Sequence, residues 1–106
     1  MDMQQEIVTL KGRLKQNVIL KVSVNNDEYY SAPLEVIETE KRGEVAENDV
    51  DSLFLIFWKK NFDEPTQRAI ANLKENQNIT VHGHYGGTNN GLLRVTEIDI
   101  EEEIFI

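Results

Sequence analysis

Apolar and polar residues alternate along most of the chain, and this period of two predicts β-strands. In "IVTLKGRL" the side chains of Val8, Leu10 and Leu14 share one face with Gly12. A glycine inside a strand usually marks a bulge, a bend or the close approach of another backbone. The stretch "VILKVSV" continues the pattern as far as "NNDE" at 25–28, which is typical of a turn.

The next two segments predict the strands at the centre of the fold. "YYSAPLEVIE" has strand character, but Pro33 restricts it to an edge, a bulge or a strand end. The loop that follows, 38–51, is rich in acidic residues. "SLFLIFW" at 52–58 is apolar on both faces, which indicates either a central strand or a strand with a functional outer face.

After residue 60 the period changes to that of a helix. "NFDEPTQRAIANLKENQ" predicts a helix of about 12 residues that begins after Asp63 as N-cap, with Pro65 in its first turn. Ile70 and Leu73 supply a short apolar stripe at helical spacing. The rest of the segment is polar, so the helix should cover one end of a core rather than fill it.

The period of two returns in "NITVHGHY", which predicts a strand followed by a hairpin. Ile79, Val81 and Gly83 lie on its inner face, and His82 and His84 lie on the other. "GGTNNG" is a flexible turn that joins two antiparallel strands, and "LLRVTEIDI" is the last strand.

The resulting order, β-β-β-α-β-β, resembles the OB-fold, a five-stranded Greek-key barrel. The resemblance runs from about residue 6 to residue 100. It also rests on "TLKGRL" and "ITVHGHY", which are similar to glycine-containing strands of single-stranded DNA-binding and anticodon-binding OB domains. It implies a mainly β fold, with one short helix between strands 3 and 4 of the barrel, and a single domain over residues 1–106. An SH3-like barrel is the structural alternative, although it would not ordinarily place such a helix before its last hairpin.

Charge is distributed unevenly along this acidic chain of 106 residues, which has a formal net charge of −8. The acidic loop 38–51 has a net charge of −4, the acidic C-terminal tail 97–106 has −5, and the remaining residues have +1. Net acidity alone disfavours nucleic acid as a ligand, because phosphate contacts come from lysine and arginine. The near-neutral body of the domain leaves that ligand open.

Composition excludes several other classes of protein. There is no cysteine, which excludes zinc ribbons, disulfide scaffolds and thiol nucleophiles. The longest apolar run, "LFLIFW", is far shorter than the roughly 20 residues of a membrane helix, so no membrane partner is expected. The N-terminus lacks the pattern of a signal peptide, and a cytoplasmic location is the expectation.

His82 and His84 are the residues that most suggest chemistry, because side chains two apart on a strand point the same way. A stable metal site needs a third ligand and usually a fourth, and the chain has no further histidine or cysteine. We therefore expect no metal and no cofactor, and interpret both histidines as polar surface residues able to contact a ligand. Phosphate-binding loops and nucleophile elbows are also absent from the sequence, so no enzymatic activity is expected.

The resemblance to OB domains places a ligand groove across the second and third strands, between the first-to-second and fourth-to-fifth strand loops. Here those positions correspond to Tyr29 and Tyr30, to alternate residues of 54–58, and to "GGTNNG". OB proteins that bind single strands combine aromatic stacking with basic residues along the backbone. The predicted nucleic-acid-binding residues are Lys11, Arg13, Lys21, Tyr30, Trp58, Lys59, Lys60, His82, His84 and Arg94.

The sequence thus predicts non-enzymatic binding of single-stranded DNA or RNA on the strand 2–3 face of an OB barrel. The alternative is an acidic OB-fold module for protein–protein interaction, a subunit that pairs through an exposed strand or through its tail. "DIEEEIFI" resembles the acidic C-terminal tips with which bacterial single-stranded DNA-binding proteins recruit partner proteins. It lacks the proline and the long linker of those tips, and a strand end with an apolar tip is the simpler interpretation.

Overall fold

The computed structural model of the protein describes residues 6–41, 44–46 and 51–100, and side chains in 6–40 and 51–100. The C-terminal tail is described only as far as residue 100. No helix in the described part is long and apolar enough to cross a membrane. The strands are β1 (Val8–Leu14), β2 (Ile19–Val22), β3 (Glu28–Lys41), β4 (Glu44–Ala46), β5 (Ser52–Trp58), β6 (Asn78–Gly86) and β7 (Leu92–Ile100), and the α-helix is α1 (Glu64–Ala71).

Five of these strands close into a barrel. β1 pairs antiparallel with both β3 and β6, and β3–β5 and β6–β7 are also antiparallel. A parallel pairing of β5 with β7 completes the circle. The helix α1 lies between the third and fourth barrel strands, β5 and β6. This topology confirms the predicted OB-fold.

The barrel interior is filled by aliphatic side chains and one aromatic ring. Alternate residues of the barrel strands point inward, as the period of two predicts, and the alternation shifts by one residue at a bulge in β3 and at another in β7. The buried core consists of Val8, Leu10, Leu14, Ala32, Leu34, Val36, Leu53, Leu55, Phe57, Ile70, Leu73, Ile79, Val81, Leu93 and Val95. Because Leu53, Leu55 and Phe57 take the inner positions of β5, its other side chains must face outward.

The helix covers one end of this core. Asp63 is its N-cap, and its carboxylate accepts a hydrogen bond from the backbone N–H of Thr66 at 2.9 Å. The hydroxyl and the amide of Thr66 hold the pKa of the Asp63 carboxyl below its usual value. The helix is shorter than predicted and ends at Ala71, but Ile70 and Leu73 are buried as the apolar stripe indicated.

Pro33 lies within β3 rather than at an edge, a bulge or a strand end. On one side it is opposite Phe54 of β5. On the other side its carbonyl accepts a hydrogen bond from the Lys15 N–H at 2.9 Å. This is the point where the neighbour of β3 changes from β2, which pairs as far as Ser31, to β1, which begins at Leu34. The proline therefore sits where the sheet requires no N–H donor.

The acidic segment predicted as a loop is partly strand. β3 continues to Lys41, and β4 (Glu44–Ala46) pairs back on Thr39, Glu40 and Lys41. Residues 42, 43 and 47–50 lie outside the described part of the chain. The described part of this hairpin lies at the C-terminal end of β3, whereas Tyr29 lies at its N-terminal end.

Gly12 and Gly83 lie where two strands cross closely, and each accompanies a bulge. A β-carbon on Gly12 would fall on the Glu35 carbonyl oxygen, and one on Gly83 would fall on the Arg94 carbonyl oxygen. The β1–β3 register shifts between Lys11 and Gly12, and the β6–β7 register shifts between His82 and Gly83. A bulge bends its strand and increases its twist, which barrel closure requires.

Replacing Gly83 by alanine should therefore be strongly destabilising. Gly86, in the same strand, is the matched control, because a β-carbon there meets only the Leu92 side chain, which can move. We expect Gly83→Ala to lower the free energy of unfolding by about 1–3 kcal/mol or more, and Gly86→Ala to cost clearly less, by urea denaturation. Equal stability of the two variants would contradict the close approach at Gly83.

Candidate nucleic-acid interface

The outer surface of β2, β3, β5 and β7 carries a continuous set of apolar and aromatic side chains. Residues paired across neighbouring strands share a face, so the register gives the layout directly. One row runs Lys21, Tyr29, Trp58, and the next runs Ile19, Ser31, Ile56, Arg94. A third runs Pro33, Phe54, Leu92. We call these ten residues the aromatic face.

Two aromatic side chains of this face contact each other. The ring centroids of Tyr29 and Trp58 are 4.9 Å apart and their planes are tilted by 51°. Phe54, in the adjoining row, is 54% exposed, although it belongs to a strand whose alternate residues are fully buried. Phe54 therefore adds an exposed aromatic ring to this face beside the Tyr29–Trp58 pair.

Basic side chains lie along the edges of the aromatic face. Lys21 and Arg94 are exposed on opposite sides of this face. Lys21 pairs with Tyr29 across β2 and β3, and Arg94 pairs with Ile56 across β7 and β5. Lys60 follows β5, and its Nζ lies 5.9 Å from the centre of the Trp58 ring. This arrangement places positive charge beside stacking surfaces, as sites for single-stranded nucleic acids require.

Lys59 and Lys60 also contact two acidic residues, Glu28 at the start of β3 and Asp27 in the turn before it. Lys59 Nζ is 3.3 Å from Glu28 Oε1, and Lys60 Nζ is 3.5 Å from Asp27 Oδ2. Lys59 is the more enclosed of the two lysines, with 29% of its side chain exposed against 65% for Lys60.

The structure does not place the predicted Tyr30 on this face. Tyr30 is opposite Phe57, whose ring is fully buried, so its side chain points to the inner side of β3 and packs against the core. There it lines an open cavity of about 270 Å³ beside the helix, together with Lys59 and Gln67. Tyr29, one residue earlier, takes the outward position.

Lys11 and His82 are also separated from the aromatic face. Lys11 lies opposite Glu38 and Thr80, with its Nζ 4.0 Å from Glu38 Oε1. His82 contacts Thr9 Oγ1 at 2.8 Å through Nδ1 and Asp99 Oδ2 at 3.3 Å through Nε2. This part of β1, β3, β6 and β7, the acidic face, carries the side chains Thr9, Lys11, Glu38, Glu40, Thr80, His82, Glu97 and Asp99.

Arg13 and His84 lie at the borders of the aromatic face. Arg13 is opposite Glu35, and its Nη2 donates to Glu35 Oε1 at 3.0 Å. His84 is opposite Arg94, and its Nδ1 is 3.2 Å from the Glu6 carbonyl oxygen. The ten predicted residues therefore do not form one surface: Lys21, Trp58, Lys60 and Arg94 come together, with Lys59, Arg13 and His84 around them.

Tyr29 and Phe54 are the two aromatic residues of the aromatic face that the predicted set of binding residues omitted, although the groove implied by the resemblance included Tyr29 and alternate residues of 54–58. The parity of β5 was the signal that could have found Phe54, because an inward Phe57 requires an outward Phe54. Parity alone could not determine which of Tyr29 and Tyr30 points outward, because adjacent positions carry the same residue type and Pro33 interrupts the alternation along β3.

The described residues contain no group of three or more His, Cys, Asp or Glu side chains that could hold a metal ion. The two histidines, moreover, have different partners and lie on opposite sides of the bulge at Gly83.

Comparison with known proteins finds similarity in structure only. No protein-family model and no curated protein matches the chain. The mitochondrial single-stranded DNA-binding protein of S. cerevisiae superposes with a TM-score of 0.65 at 13% identity, covering 94% of this chain and 98% of that one. The small single-stranded DNA-binding protein of Streptomyces coelicolor gives 0.62 at 12% identity, with coverages of 94% and 96%.

A protein named priB from Ralstonia solanacearum is a further structural neighbour. It superposes with a TM-score of 0.59 at 6% identity and covers 91% of this chain and 98% of its own. At these identities the likeness establishes the OB-fold over nearly the whole length of the neighbours. The residues that act on that fold must be argued from this chain itself.

The opposite orientations of Tyr29 and Tyr30 predict opposite effects of truncation. Tyr30→Ala removes a ring that packs on the core and should cost about 2–4 kcal/mol of unfolding free energy. Tyr29→Ala removes mainly the contact with Trp58, which is worth about 1 kcal/mol. It should change the emission of the only tryptophan more than Tyr30→Ala does. A larger emission change with Tyr30→Ala would contradict the assignment.

Proposed function

We propose that this protein binds single-stranded nucleic acid, without catalysing a reaction on it, on the aromatic face. Bases stack on Phe54 and on the Tyr29–Trp58 pair, and Lys21, Lys60 and Arg94 lie near the phosphates. Single-stranded DNA is the preferred ligand, because proteins with that named function share the fold over 94% of this chain.

The exposed aromatic side chains carry this proposal. A β-strand that buries Leu53, Leu55 and Phe57 on one side presents Phe54, Ile56 and Trp58 on the other. An unliganded surface of this kind is costly in water, and stacking on bases would remove it from solvent. Stacking also tolerates any sequence, because every base has an aromatic surface.

The electrostatics of the chain determine how strong the complex can be. The basic residues of the aromatic face are few, and the chain as a whole has a net charge of −8. The long-range field therefore opposes a polyanion, and binding must rest on local contacts. We expect a micromolar-range complex that added salt weakens, with a slope of log K against log salt of roughly −2 to −3 for three phosphate contacts.

Truncation of Phe54 tests the proposal directly. Phe54→Ala should weaken binding of a fluorescein-labelled oligothymidine by roughly five- to 100-fold, measured by anisotropy at low salt, because it removes one stacking surface. Ile37→Ala is the matched control, since Ile37 is similarly exposed, at 58% against 54%, but lies outside the aromatic face. The control should bind as the unaltered protein does.

Two results would contradict the proposal. One is the absence of any anisotropy change with the unaltered protein at low salt. The other is an equal loss of affinity in Phe54→Ala and Ile37→Ala, which would place the nucleic acid elsewhere. A parallel titration with oligouridine determines whether RNA is also bound.

A further inference from the structure

Two adjacent carboxylates lie next to the lysines that follow Trp58: Asp27 in the turn between β2 and β3, and Glu28 at the first position of β3. The Ser23 N–H donates to the Asp27 carbonyl at 2.9 Å, and the Asn26 N–H donates to the Ser23 carbonyl at 3.0 Å. The Asp27 N–H also donates to Ser23 Oγ at 3.2 Å. Asn26 adopts a positive φ of 68°, which closes the turn tightly. Asp27 and Glu28 are thus held by the backbone in a defined position.

Each carboxylate lies opposite a lysine that follows Trp58. The contacts are Lys60 with Asp27 at 3.5 Å and Lys59 with Glu28 at 3.3 Å. Lys60 is at the same time close to the Trp58 ring. Asp27 therefore neutralises a cation at the place where a base stacked on Trp58 would bring its phosphate, and Glu28 does the same for Lys59 at the neighbouring position on the Tyr30 side of β3.

We infer that Asp27 and Glu28 compete with phosphate for Lys60 and Lys59, and so limit the affinity of the aromatic face for nucleic acid. This inference rests on the proposed function. In the free protein the two carboxylates form ion pairs with the two lysines. When a single strand binds, its phosphates replace them, and two unpaired negative charges are left close to the ligand.

The strength of these ion pairs makes such an exchange feasible. Both are partly exposed, with 46% of the Glu28 side chain and 43% of the Asp27 side chain accessible. Exposed pairs of this kind contribute little to stability, so the lysines can leave them readily. Removing the carboxylates should therefore change binding much more than folding.

The double variant Asp27→Asn/Glu28→Gln is the test, with an oligothymidine as probe and fluorescence anisotropy as readout. We expect affinity at low salt to rise about three- to tenfold, because two competing charges are removed. The slope of log K against log salt should steepen, because no displaced carboxylate is left to take up a counterion when the strand binds. Unfolding curves verify that both side-chain replacements leave the barrel intact.

Glu40→Gln/Glu97→Gln is the matched control. It changes the net charge by the same amount, but its residues belong to the acidic face, where each lies beside Thr9 or His82. We expect it to raise affinity clearly less. The gain should also disappear when Asp27→Asn/Glu28→Gln is combined with Lys59→Gln/Lys60→Gln.

Three results would overturn the inference while leaving the proposed function in place. The first is weaker binding by Asp27→Asn/Glu28→Gln, which would mean that the carboxylates position the lysines. The second is an equal gain in affinity in the control variant. The third is a gain in affinity that persists when Lys59 and Lys60 are also replaced. Failure of the proposed function is distinguishable, because then neither the unaltered protein nor any variant binds the oligothymidine.

Discussion

The two close backbone approaches at Gly12 and Gly83 are the constraint on which the rest of the structure depends. They allow β1 to pair with both β3 and β6, and β6 to pair closely with β7, so that five strands can close. Closure fixes the parity of every barrel strand. Once Leu55 and Phe57 are inside, Phe54 and Trp58 must lie outside.

The same bulges also divide the outer surface. Ile37 is the extra residue of the β1–β3 bulge, and Thr96, whose hydroxyl donates to the His82 carbonyl at 3.2 Å, is the extra residue of the β6–β7 bulge. Tyr29 of β3 and Arg94 of β7 lie before the bulges along their strands, and Glu38, Glu40, Glu97 and Asp99 lie after them. One backbone feature therefore both closes the barrel and separates a surface suited to bases from one that repels phosphate.

Much of this organisation could be predicted from the sequence. Alternation gave the strands, the capping residue Asp63 and the nearby proline gave the start of the helix, and the element order gave the OB-fold. The inward position of Gly83 also followed from alternation. These features depend on local pattern, and a single sequence carries that pattern directly.

The composition of the site was less accessible, for reasons of geometry. The side chains of Lys11 and His82 point outward, as those of Lys21 and Trp58 do. An outward orientation does not reveal on which side of a closed barrel a residue lies. The bulges that separate them shift register by one residue, which sequence alternation does not record reliably. The orientation of the Tyr30 side chain could not be predicted, because parity becomes ambiguous near Pro33, where the neighbour of β3 changes from β2 to β1. The partners of Lys59 and Lys60 lie 31 and 33 residues away in the chain.

Amide chemical-shift mapping with an unlabelled oligothymidine tests the central claim most directly, because it reports the location of the ligand without altering the protein. The account predicts shifts concentrated at Ile19–Lys21, Tyr29–Ala32, Phe54–Lys60 and Leu92–Arg94, with little change around Thr9, Glu38 and Asp99. Shifts concentrated on the acidic face would contradict the account, and so would the absence of any shift at a low salt concentration.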